Sequence, residues 1–268
     1  MARSRTISSA NADFQLALAL RDNRRQRTRQ GRFLVEGVRS IDAAVAGGWR
    51  IESLWLASGK PLSRWASGLL ESGIAQRHVE LDPALMAQLS AKDETSELVA
   101  LVEIPPDDLE RIPRRADALL LVLDRPASPG NLGSVIRSAD ALGADGVVVT
   151  GHSADVYDPQ TARASQGALF AVPVVRLGSP AELEPRIEGL LVVGTSASGD
   201  ADLDEVDLRG PTALVLGNEA KGLSWGWRER AETVARIPQR GSASSLNLAA
   251  AAAIALYEAE RQRRGGAA

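Results

Sequence analysis

The sequence contains no cysteine and only two histidines, His78 and His152, among its 268 residues. The lack of cysteine excludes disulfides, zinc–thiolate sites, iron–sulfur clusters and a cysteine nucleophile. Two histidines leave little material for a multi-histidine metal centre or for a Ser-His catalytic pair. We therefore expect no metal in this protein and no chemistry that depends on a thiol.

Long apolar segments are also absent. No apolar run reaches the roughly 18 to 20 residues that a membrane-spanning helix needs. The arginine-rich N-terminus has no apolar segment behind it that would make a secretory signal. Aromatic residues form only 4% of the chain, whereas hydrophobic residues form 44%. These features predict a cytoplasmic protein without a membrane partner, whose core is mainly aliphatic side chains and alanine.

Charge is distributed unevenly along the chain. Residues 1–32 carry eight arginines against Asp13 and Asp22, a local charge of +6, so the remainder carries −9 within an overall charge of −3. A basic arm on an acidic body is typical of a protein that binds nucleic acid. The same arginines also suit the solvated, cationic end of a helix. The charge alone leaves both interpretations open.

Apolar runs of strand length alternate with helical segments through the whole chain, which predicts an α/β fold. The predicted strands cover residues 33–37, 51–56, 79–81, 97–104, 119–123, 146–150, 172–175, 190–195, 213–216 and 234–237. The predicted helices cover residues 10–30, 38–46, 61–72, 83–89, 132–142, 159–166, 180–187 and an alanine-rich segment after residue 247.

Residues 105–118 contain three prolines and mixed charges, and their apolar residues follow no helical or strand periodicity. This pattern predicts an interdomain linker. It would separate a small α/β domain over residues 1–104 from a larger one over residues 119–268. The strands of the larger domain are continuous apolar runs, which favours a mostly parallel sheet with helices on both faces.

Three unusual loops lie in this larger domain, at strand ends where ligands of a parallel sheet collect. The first, PGNLGSVIR, places Asn131 to cap a helix and Arg137 nearly two turns later on roughly the same side. The second, LGNEAKGL at 216–223, has neither the Walker A nor the G-x-G-x-x-G signature. The third, GSASSLN at 241–247, crowds several cap candidates before one helix. Taken singly, each loop could be only a cap or a surface turn.

Together, the three loops resemble the SpoU (TrmH-like) branch of the SPOUT RNA methyltransferases. The shared pattern is Asn-x-Gly with an arginine six residues after the Asn, then Gly-Asn-Glu-x-x-Gly-Leu, then Ile-Pro followed by Ser-Leu-Asn and a helix ending in Leu-Tyr-Glu. The FLVEG segment at 33–37 is similar to the start of the family's L30e-like substrate-binding domain. Within the family, DRPASPGNLGSVIRSADALGA, GHSADVYDP and GSASSLN are similar to the avilamycin-resistance type of 23S rRNA ribose methyltransferase.

The resemblance implies a SPOUT domain over residues 119–268 with a deep trefoil knot around 217–223 and the final helix, an exception to the rule against knots. It implies an L30e-like domain over residues 1–104 and a homodimer whose subunits both contribute to the site. S-adenosylmethionine would be bound largely by backbone. The positions that match the family's cofactor site are Thr195, Leu216, Gly217, Ile237, Pro238 and Leu246.

The implied reaction is transfer of a methyl group to a ribose 2′-OH of 23S rRNA or of the large ribosomal subunit. Arg137 matches the family's catalytic arginine, which would accept the hydroxyl proton or bind the adjacent phosphate. We favour phosphate binding, because a guanidinium is essentially always protonated. The further matching positions are Asn131 and Asn247, which would hold the arginine and loops, Ser245, which would aim at substrate, and Glu219, which would anchor the loop or the arginine.

One position departs from the family pattern. Ala220 stands where the family often has glycine, which puts a close backbone approach there in question.

The basic arm supplies candidate contacts to rRNA phosphates, namely Arg24, Arg25, Arg27, Arg29 and Arg32. Two alternatives to the rRNA enzyme remain, a noncatalytic RNA-binding protein on the same fold and a tRNA 2′-O-methyltransferase. The L30e-like domain disfavours the tRNA enzyme, since simpler tRNA members can lack it.

Overall fold

The computed structural model describes residues 3–90 and 94–265. Contacts along the chain divide it into two compact units. The first unit comprises Met1–Pro105 with Tyr157–Ala171, and the second comprises Pro106–Val156 with Val172–Ala268. These units differ from the domain limits expected from the sequence in two segments, residues 105–118 and 157–171.

A five-stranded sheet organises the first unit. Its strands are Arg3–Ile7 (β1), Arg32–Glu36 (β2), Ile51–Ala57 (β3), Arg77–Leu81 (β4) and Leu98–Glu103 (β5). They lie in the order β1-β4-β3-β5-β2, with β5 antiparallel to both neighbours and the other pairs parallel. The sequence pattern does not predict β1, because its RSRTI run is mostly polar and its stability comes from pairing with β4.

The described part of the first unit has six α-helices. They are Ala12–Asp22 (α1), Arg24–Gln30 (α2), Val38–Ala46 (α3), Arg64–Glu71 (α4), Pro83–Leu89 (α5) and, from the later segment, Pro159–Ala164 (α7). The prediction of one helix over residues 10–30 is wrong. Asn23 has extended backbone and ends α1, and its side chain accepts hydrogen bonds from the N–H groups of Arg25 and Gln26 at the start of α2.

Aromatic packing attaches residues 157–171 to the first unit. The ring centroids of Phe33 and Tyr157 lie 4.9 Å apart, and those of Trp49 and Phe170 lie 5.0 Å apart. The indole Nε1 of Trp49 also donates a 3.1 Å hydrogen bond to the carbonyl oxygen of Phe170. Four of the few aromatic side chains therefore form one cluster, and contacts of this kind stabilise by about 1 kcal/mol each beyond their buried area.

A seven-stranded sheet organises the second unit. Its strands are Leu119–Asp124 (β6), Gly146–Thr150 (β7), Val174–Leu177 (β8), Leu191–Thr195 (β9), Ala201–Asp202 (β10), Thr212–Leu216 (β11) and Thr233–Arg236 (β12). They lie in the order β10-β12-β9-β11-β6-β7-β8, and every pairing is parallel. The predicted α/β class with a parallel C-terminal sheet is confirmed.

The described part of the second unit has four α-helices. They are Pro129–Ala141 (α6), Glu184–Ile187 (α8), Trp225–Arg230 (α9) and Leu248–Gly265 (α10). The sequence does not predict α9, and the helix predicted over residues 180–187 is a 3₁₀ turn, Pro180–Leu183, followed by α8.

Residues 105–118, which the sequence predicts to be an interdomain linker, pack on the second unit from Pro106 onward. Ile112 is 1% exposed and belongs to the core of the second unit. The guanidinium of Arg111 donates to the carbonyl oxygen of Val174, and the carboxylate of Asp107 accepts from the backbone of Arg176. The prolines and charges therefore belong to a segment that packs beside β8.

Within residues 3–90 and 94–265, no helix has the length and apolar character needed to cross a membrane. In the same described residues, no group of three or more His, Cys, Asp or Glu side chains is arranged to hold a metal ion.

Candidate active site

A cavity lies at the carboxyl edge of the second sheet. Strands β12, β9 and β11 are neighbours in the sheet, so the segments that follow them lie side by side. These segments and the start of α10 enclose about 300 Å³. The wall consists of Thr195, Ser196, Ala197, Leu216, Gly217, Asn218, Glu219, Ala220, Gly222, Ile237, Gln239, Ser245, Leu246, Leu248 and Ala251.

Most positions that the sequence assigned to the cofactor belong to this wall. Thr195 and Leu216 end two neighbouring strands, and Ile237 follows a third. Gly217 and Leu246 complete the set, whereas Pro238 is not part of the wall. The aliphatic side chains suit an apolar ligand portion, and the loop backbones offer polar groups beside them.

A tight turn after β11 shapes one side of the cavity. The backbones of Asn218 and Gly222 exchange hydrogen bonds of 3.1 and 2.8 Å, and the Asn218 side chain accepts from the N–H groups of Ala220 and Lys221. A Cβ atom on Gly217 would lie 2.3 Å from the backbone of Gly222 and Leu223. Residue 217 must therefore be glycine, because the backbone of Gly222 and Leu223 passes too close to leave room for a side chain.

Two residues at the end of β6 hold this turn in place. Asp124 is 2% exposed and accepts a hydrogen bond from the backbone N–H of Ser224. Arg125 pairs with Asp124 at 3.0 Å and donates to the carbonyl oxygen of Gly222, while its own carbonyl accepts from the side chain of Asn218. Arg125 has a φ of 57°, a conformation that costs about 1 kcal/mol or more for a side chain other than glycine.

Three predicted site residues form a continuous hydrogen-bonded chain. The side-chain amide of Asn247 donates to Oδ1 of Asn131 at 3.1 Å, and Nδ2 of Asn131 donates to Oε1 of Glu219 at 3.1 Å. The second carboxylate oxygen of Glu219 accepts from the backbone N–H of Ala127 at 3.0 Å. This series of hydrogen bonds ties the β6–α6 loop and the start of α10 to the turn that lines the cavity.

The carboxylate of Glu219 is kept ionised by this arrangement. Partial burial raises its pKa, but hydrogen bonds from backbone N–H groups, including that of Ala127, and from the side chain of Asn131 outweigh burial. The resulting pKa lies below its ordinary value. The cavity wall therefore carries a fixed negative charge.

Capping differs from the expectation at one of the two helices. Ser128, not Asn131, caps α6, because its hydroxyl accepts from the N–H of Asn131 at 3.3 Å and the helix begins at Pro129. At the start of α10, Asn247 accepts from the N–H of Ala249 at 2.8 Å. The side chain of Asn131 is therefore not used for capping and joins the hydrogen-bonded chain.

Arg137 and Ser245 face solvent. Arg137 is exposed on α6, and among the described residues its guanidinium has no protein partner. The resemblance implied that Asn131 and Asn247 hold Arg137. In the structure, neither side chain is hydrogen-bonded to its guanidinium. Ser245 lines the cavity from the loop before α10. An exposed guanidinium and a hydroxyl are available to a ligand that enters from outside.

Comparison with known proteins decides the family. A model of the SpoU rRNA Methylase family matches residues 118–257, and one of the SpoU L30e-like domain matches residues 11–100. The chain belongs to the SpoU rRNA methylase family. The predicted resemblance is confirmed, as is the L30e-like nature of the N-terminal α/β domain.

Relatives of this SpoU methylase are named as RNA enzymes. It is 48% identical to a 23S rRNA (uridine(2479)-2′-O)-methyltransferase of Streptomyces viridochromogenes, over 98% of this chain and 94% of that protein. It is 33% identical to the 23S rRNA (guanosine(2553)-2′-O)-methyltransferase RlmP of Bacillus subtilis, over 87% of this chain and 90% of that protein.

Solved structures agree. The crystal structure of the SpoU methyltransferase AviRb from S. viridochromogenes in complex with AdoMet superposes with a TM-score of 0.91 at 48% identity, covering 95% of this chain and 99% of that one. An AdoMet-bound rRNA methyltransferase from Sinorhizobium meliloti superposes with a TM-score of 0.85 at 30% identity, covering 96% and 98%.

The arginines expected to contact RNA differ in exposure in this SpoU methylase. Arg25 and Arg29 are exposed on α2. Arg27 is 3% exposed, and its guanidinium donates to the carbonyl oxygens of Leu20 and Arg21 and pairs with Asp158 at 3.3 Å. The expectation that Arg27 contacts phosphate is wrong, because its charge stabilises the end of α1.

Arg24 and Arg32 are intermediate cases. Arg24 is half-buried. Arg32 is half-buried as well and pairs with Glu52 at 2.8 Å.

Several residues that shape the cavity were not among the site residues assigned from the sequence. Asp124 and Arg125 hold the turn and begin the DRPASPGN segment, so that segment contained a signal for them. Asn218 and Gly222 belong to the recognised LGNEAKGL motif, and Gln239 follows Ile237-Pro238, so the motifs themselves contained a signal for these three.

Proposed function

We propose that this chain transfers the methyl group of S-adenosylmethionine to a ribose 2′-OH of 23S rRNA. The observation that carries the proposal is the hydrogen-bonded chain through Asn247, Asn131 and Glu219 beside the cavity. It connects the three sequence motifs of a SpoU methylase into one site. The S. viridochromogenes relative and its AdoMet complex support both the reaction and the donor.

The cavity fits this cofactor by its chemistry. Leu216, Ile237 and Leu246 supply apolar walls, and the ionised carboxylate of Glu219 complements a cationic sulfonium. When bound, S-adenosylmethionine supplies an electrophilic methyl group.

The residues around the cavity then have separate tasks. Ser245 hydrogen-bonds the substrate at the mouth of the cavity, and Arg137 binds the phosphate beside the target ribose. That placement would hold the hydroxyl in line for attack, which lowers the barrier because the entropy of orienting the reactants is lost on binding rather than in the reaction step. As the oxygen–carbon bond forms, the carbon–sulfur bond of the sulfonium would break and S-adenosylhomocysteine would leave. The hydroxyl proton would pass to solvent water at the mouth of the cavity, because Arg137 is charged and orients the site rather than acting as its base.

The SPOUT domain is proposed to contain the deep trefoil knot that its family implies, and to work as a homodimer. Support for the dimer comes from α10, where Ile254 and Tyr257 are 40% and 53% exposed on a helix that also begins at the cavity. Size-exclusion chromatography with light scattering tests it, and a monomer at working concentration would contradict it.

The test of function is methylation of 23S rRNA by the purified protein with labelled S-adenosylmethionine, and mapping of the product by primer extension at low dNTP. A stop at one ribose is expected. Absence of cofactor binding by calorimetry would favour the noncatalytic RNA-binding alternative, and label in tRNA alone would favour the tRNA enzyme. An rRNA substrate places the enzyme in the cytoplasm, and resistance to a ribosome-targeting antibiotic would follow where the methyl group blocks the drug.

A further inference from the structure

A second, larger cavity lies in the first unit and takes no part in the site described above. It encloses about 790 Å³ between α1 and one end of the five-stranded sheet. Its floor is apolar, formed by side chains such as Leu16, Leu20 and Val79. Its lining is charged, with four arginines and three carboxylates: Arg5, Arg32, Arg50, Arg77, Asp13, Glu52 and Glu103.

Strand register explains why these charges meet. Arg5 on β1 pairs with Val79 on β4, and Arg77 begins that same strand. Arg32 on β2 lies opposite Glu103 on β5. Because β2, β3 and β4 all begin where β5 ends, their first residues form a row across one end of the sheet.

An irregularity in β3 adds a carboxylate to the row. The register shifts between Ile51 and Ser53, so Glu52 is an extra residue in the pairing with β5. Glu52 is 7% exposed and pairs with Arg32 at 2.8 Å and with Arg77. A buried carboxylate between two guanidinium groups holds both arginines at the cavity.

The other two arginines keep donors for a ligand. Arg5 pairs with Asp13 and Arg50 pairs with Glu103, but their side chains are 60% and 65% exposed. A guanidinium has five donors, so one carboxylate leaves several of them available. The rim is thus pre-organised for a planar or phosphate-bearing anion.

We propose that this cavity binds one nucleotide of a single-stranded segment of the substrate RNA, with its phosphate on the rim arginines and its base against the apolar floor. The proposal rests on the RNA-modifying function above and extends it to a binding site remote in sequence from the reacting atoms. The volume lies within the roughly 300 to 1,000 Å³ of ligand sites in proteins.

A single strand fits this cavity better than a duplex. The bases of a paired A-form helix are stacked and cannot enter a concave site, whereas unpaired bases can be splayed out and placed on apolar or guanidinium surfaces. The four arginines line a single concave cavity. A protein site that recognised duplex backbone would need charges spread over a longer surface.

The test compares two double variants of the full-length protein. Arg5→Ala with Arg50→Ala removes two exposed, ion-paired rim arginines. Arg114→Ala with Arg209→Ala is the matched control, since these side chains are 63% and 64% exposed and also pair with carboxylates, but lie in the second unit. The probe is a fluorescent oligouridylate of roughly 12 nucleotides, a length that covers one such site.

We expect the Arg5/Arg50 variant to bind the probe about tenfold more weakly than the control, as for loss of a charged hydrogen bond. The slope of log K against log salt should fall by about 0.7, because the proposal places one RNA phosphate on the rim arginines. A 4-thiouridine probe should crosslink to peptides containing Arg5 or Trp55, which both line the cavity.

Equal affinity of the two double variants would overturn the proposal. So would a loss confined to an Arg25→Ala/Arg29→Ala variant, which would place the strand on α2 instead. Displacement of the probe by an equal concentration of uridine monophosphate would overturn the assignment to an RNA strand, as would preference for a duplex of the same length. Cofactor binding and methyl transfer, measured on the same proteins, report separately on the proposed function, so the two failures are distinguishable.

Discussion

Nδ2 of Asn131 donates a 3.1 Å hydrogen bond to Oε1 of Glu219, across 88 residues of sequence. Asn131 lies in the first turn of α6, and Glu219 lies in the turn after β11. An ionised carboxylate accepts this bond more strongly than a protonated one, and the amide can donate it only in one orientation. The pair therefore fixes both the loop that precedes Arg137 and the wall of the cavity at the carboxyl edge of the second sheet.

Asn131→Asp should separate these two loops. It replaces a donor by a second carboxylate beside Glu219, and two like charges at hydrogen-bonding distance repel each other. We expect kcat/KM for methyl transfer to fall at least about tenfold, together with weaker cofactor binding by calorimetry. Asp140→Asn on the exposed side of the same helix is the control and should leave both quantities unchanged. Unaltered cofactor affinity in the Asn131→Asp variant would show that the pair does not shape the cavity.

Glu219→Gln should change how stability depends on pH. Because the pKa of Glu219 is lowered in the folded protein, the carboxylate stabilises the fold above its unfolded pKa, and this contribution is lost as pH falls through the lower, folded value. Thermal melts from about pH 7 to about pH 3 should show a stability gap between wild type and variant that closes with acid. A gap that widens on acidification would contradict the assigned direction.

Arg137→Ala should separate cofactor binding from transfer. The exposed guanidinium does not line the cofactor cavity, so the dissociation constant for S-adenosylmethionine should stay within about twofold, while transfer falls about 100-fold or more. Arg137→Lys should restore part of the rate if the charge binds phosphate, since lysine keeps the charge but not the fork. The exposed Arg209→Ala serves as the control. Full activity without the guanidinium would remove Arg137 from the site.

Gly217→Ala should destabilise the second unit. The new methyl group would meet the backbone of Gly222 and Leu223 at 2.3 Å, so the turn must shift. A cost of about 1–3 kcal/mol is expected, or about 2–12 °C in the melting temperature. Gly210→Ala is the matched control in the same unit, because its added carbon would meet nothing within 4 Å. Equal melting temperatures for the two variants would show that the turn adapts without cost.

Arg27→Ala should affect stability and Arg29→Ala should affect RNA binding, although both residues lie on α2. Removal of the buried Arg27 leaves the carbonyl oxygens of Leu20 and Arg21 without their donor, at a cost of about 2–4 kcal/mol in unfolding free energy. Removal of the exposed Arg29 should leave the melting temperature unchanged and weaken RNA binding by filter assay. Stability unaffected by loss of Arg27 would contradict the structural role.

The fold class and the motifs could be predicted because their signals are local. Leu119 to Leu123 is an uninterrupted apolar run, and such a run between turn residues indicates a strand buried on both faces. The spacing of Asn131, Arg137, Glu219 and Asn247 identified the family. The stretch GSASSLN showed a surplus of cap candidates, and the structure assigns the cap to Asn247.

Positions that depend on distant packing could not be predicted in this way. Strand β1 has no apolar pattern and exists by pairing with β4, and Arg27 reads as a surface charge until α1 and Asp158 surround it. The segment at 157–171 reads as part of the second domain, yet Tyr157 and Phe170 pack with Phe33 and Trp49 in the first unit.

The amino-acid sequence by itself determined the α/β class and the family and supplied the candidate site residues, because strand patterns, caps and each single motif extend over a few neighbouring residues. Only the tertiary structure decided how those residues act. Strand order brings Asn131 to Glu219 across 88 residues and to Asn247 across 116, and burial separates Arg27 from the arginines that remain exposed to solvent. Hydrogen bonds and burial of this kind arise from chain segments that meet only after the sheet has formed.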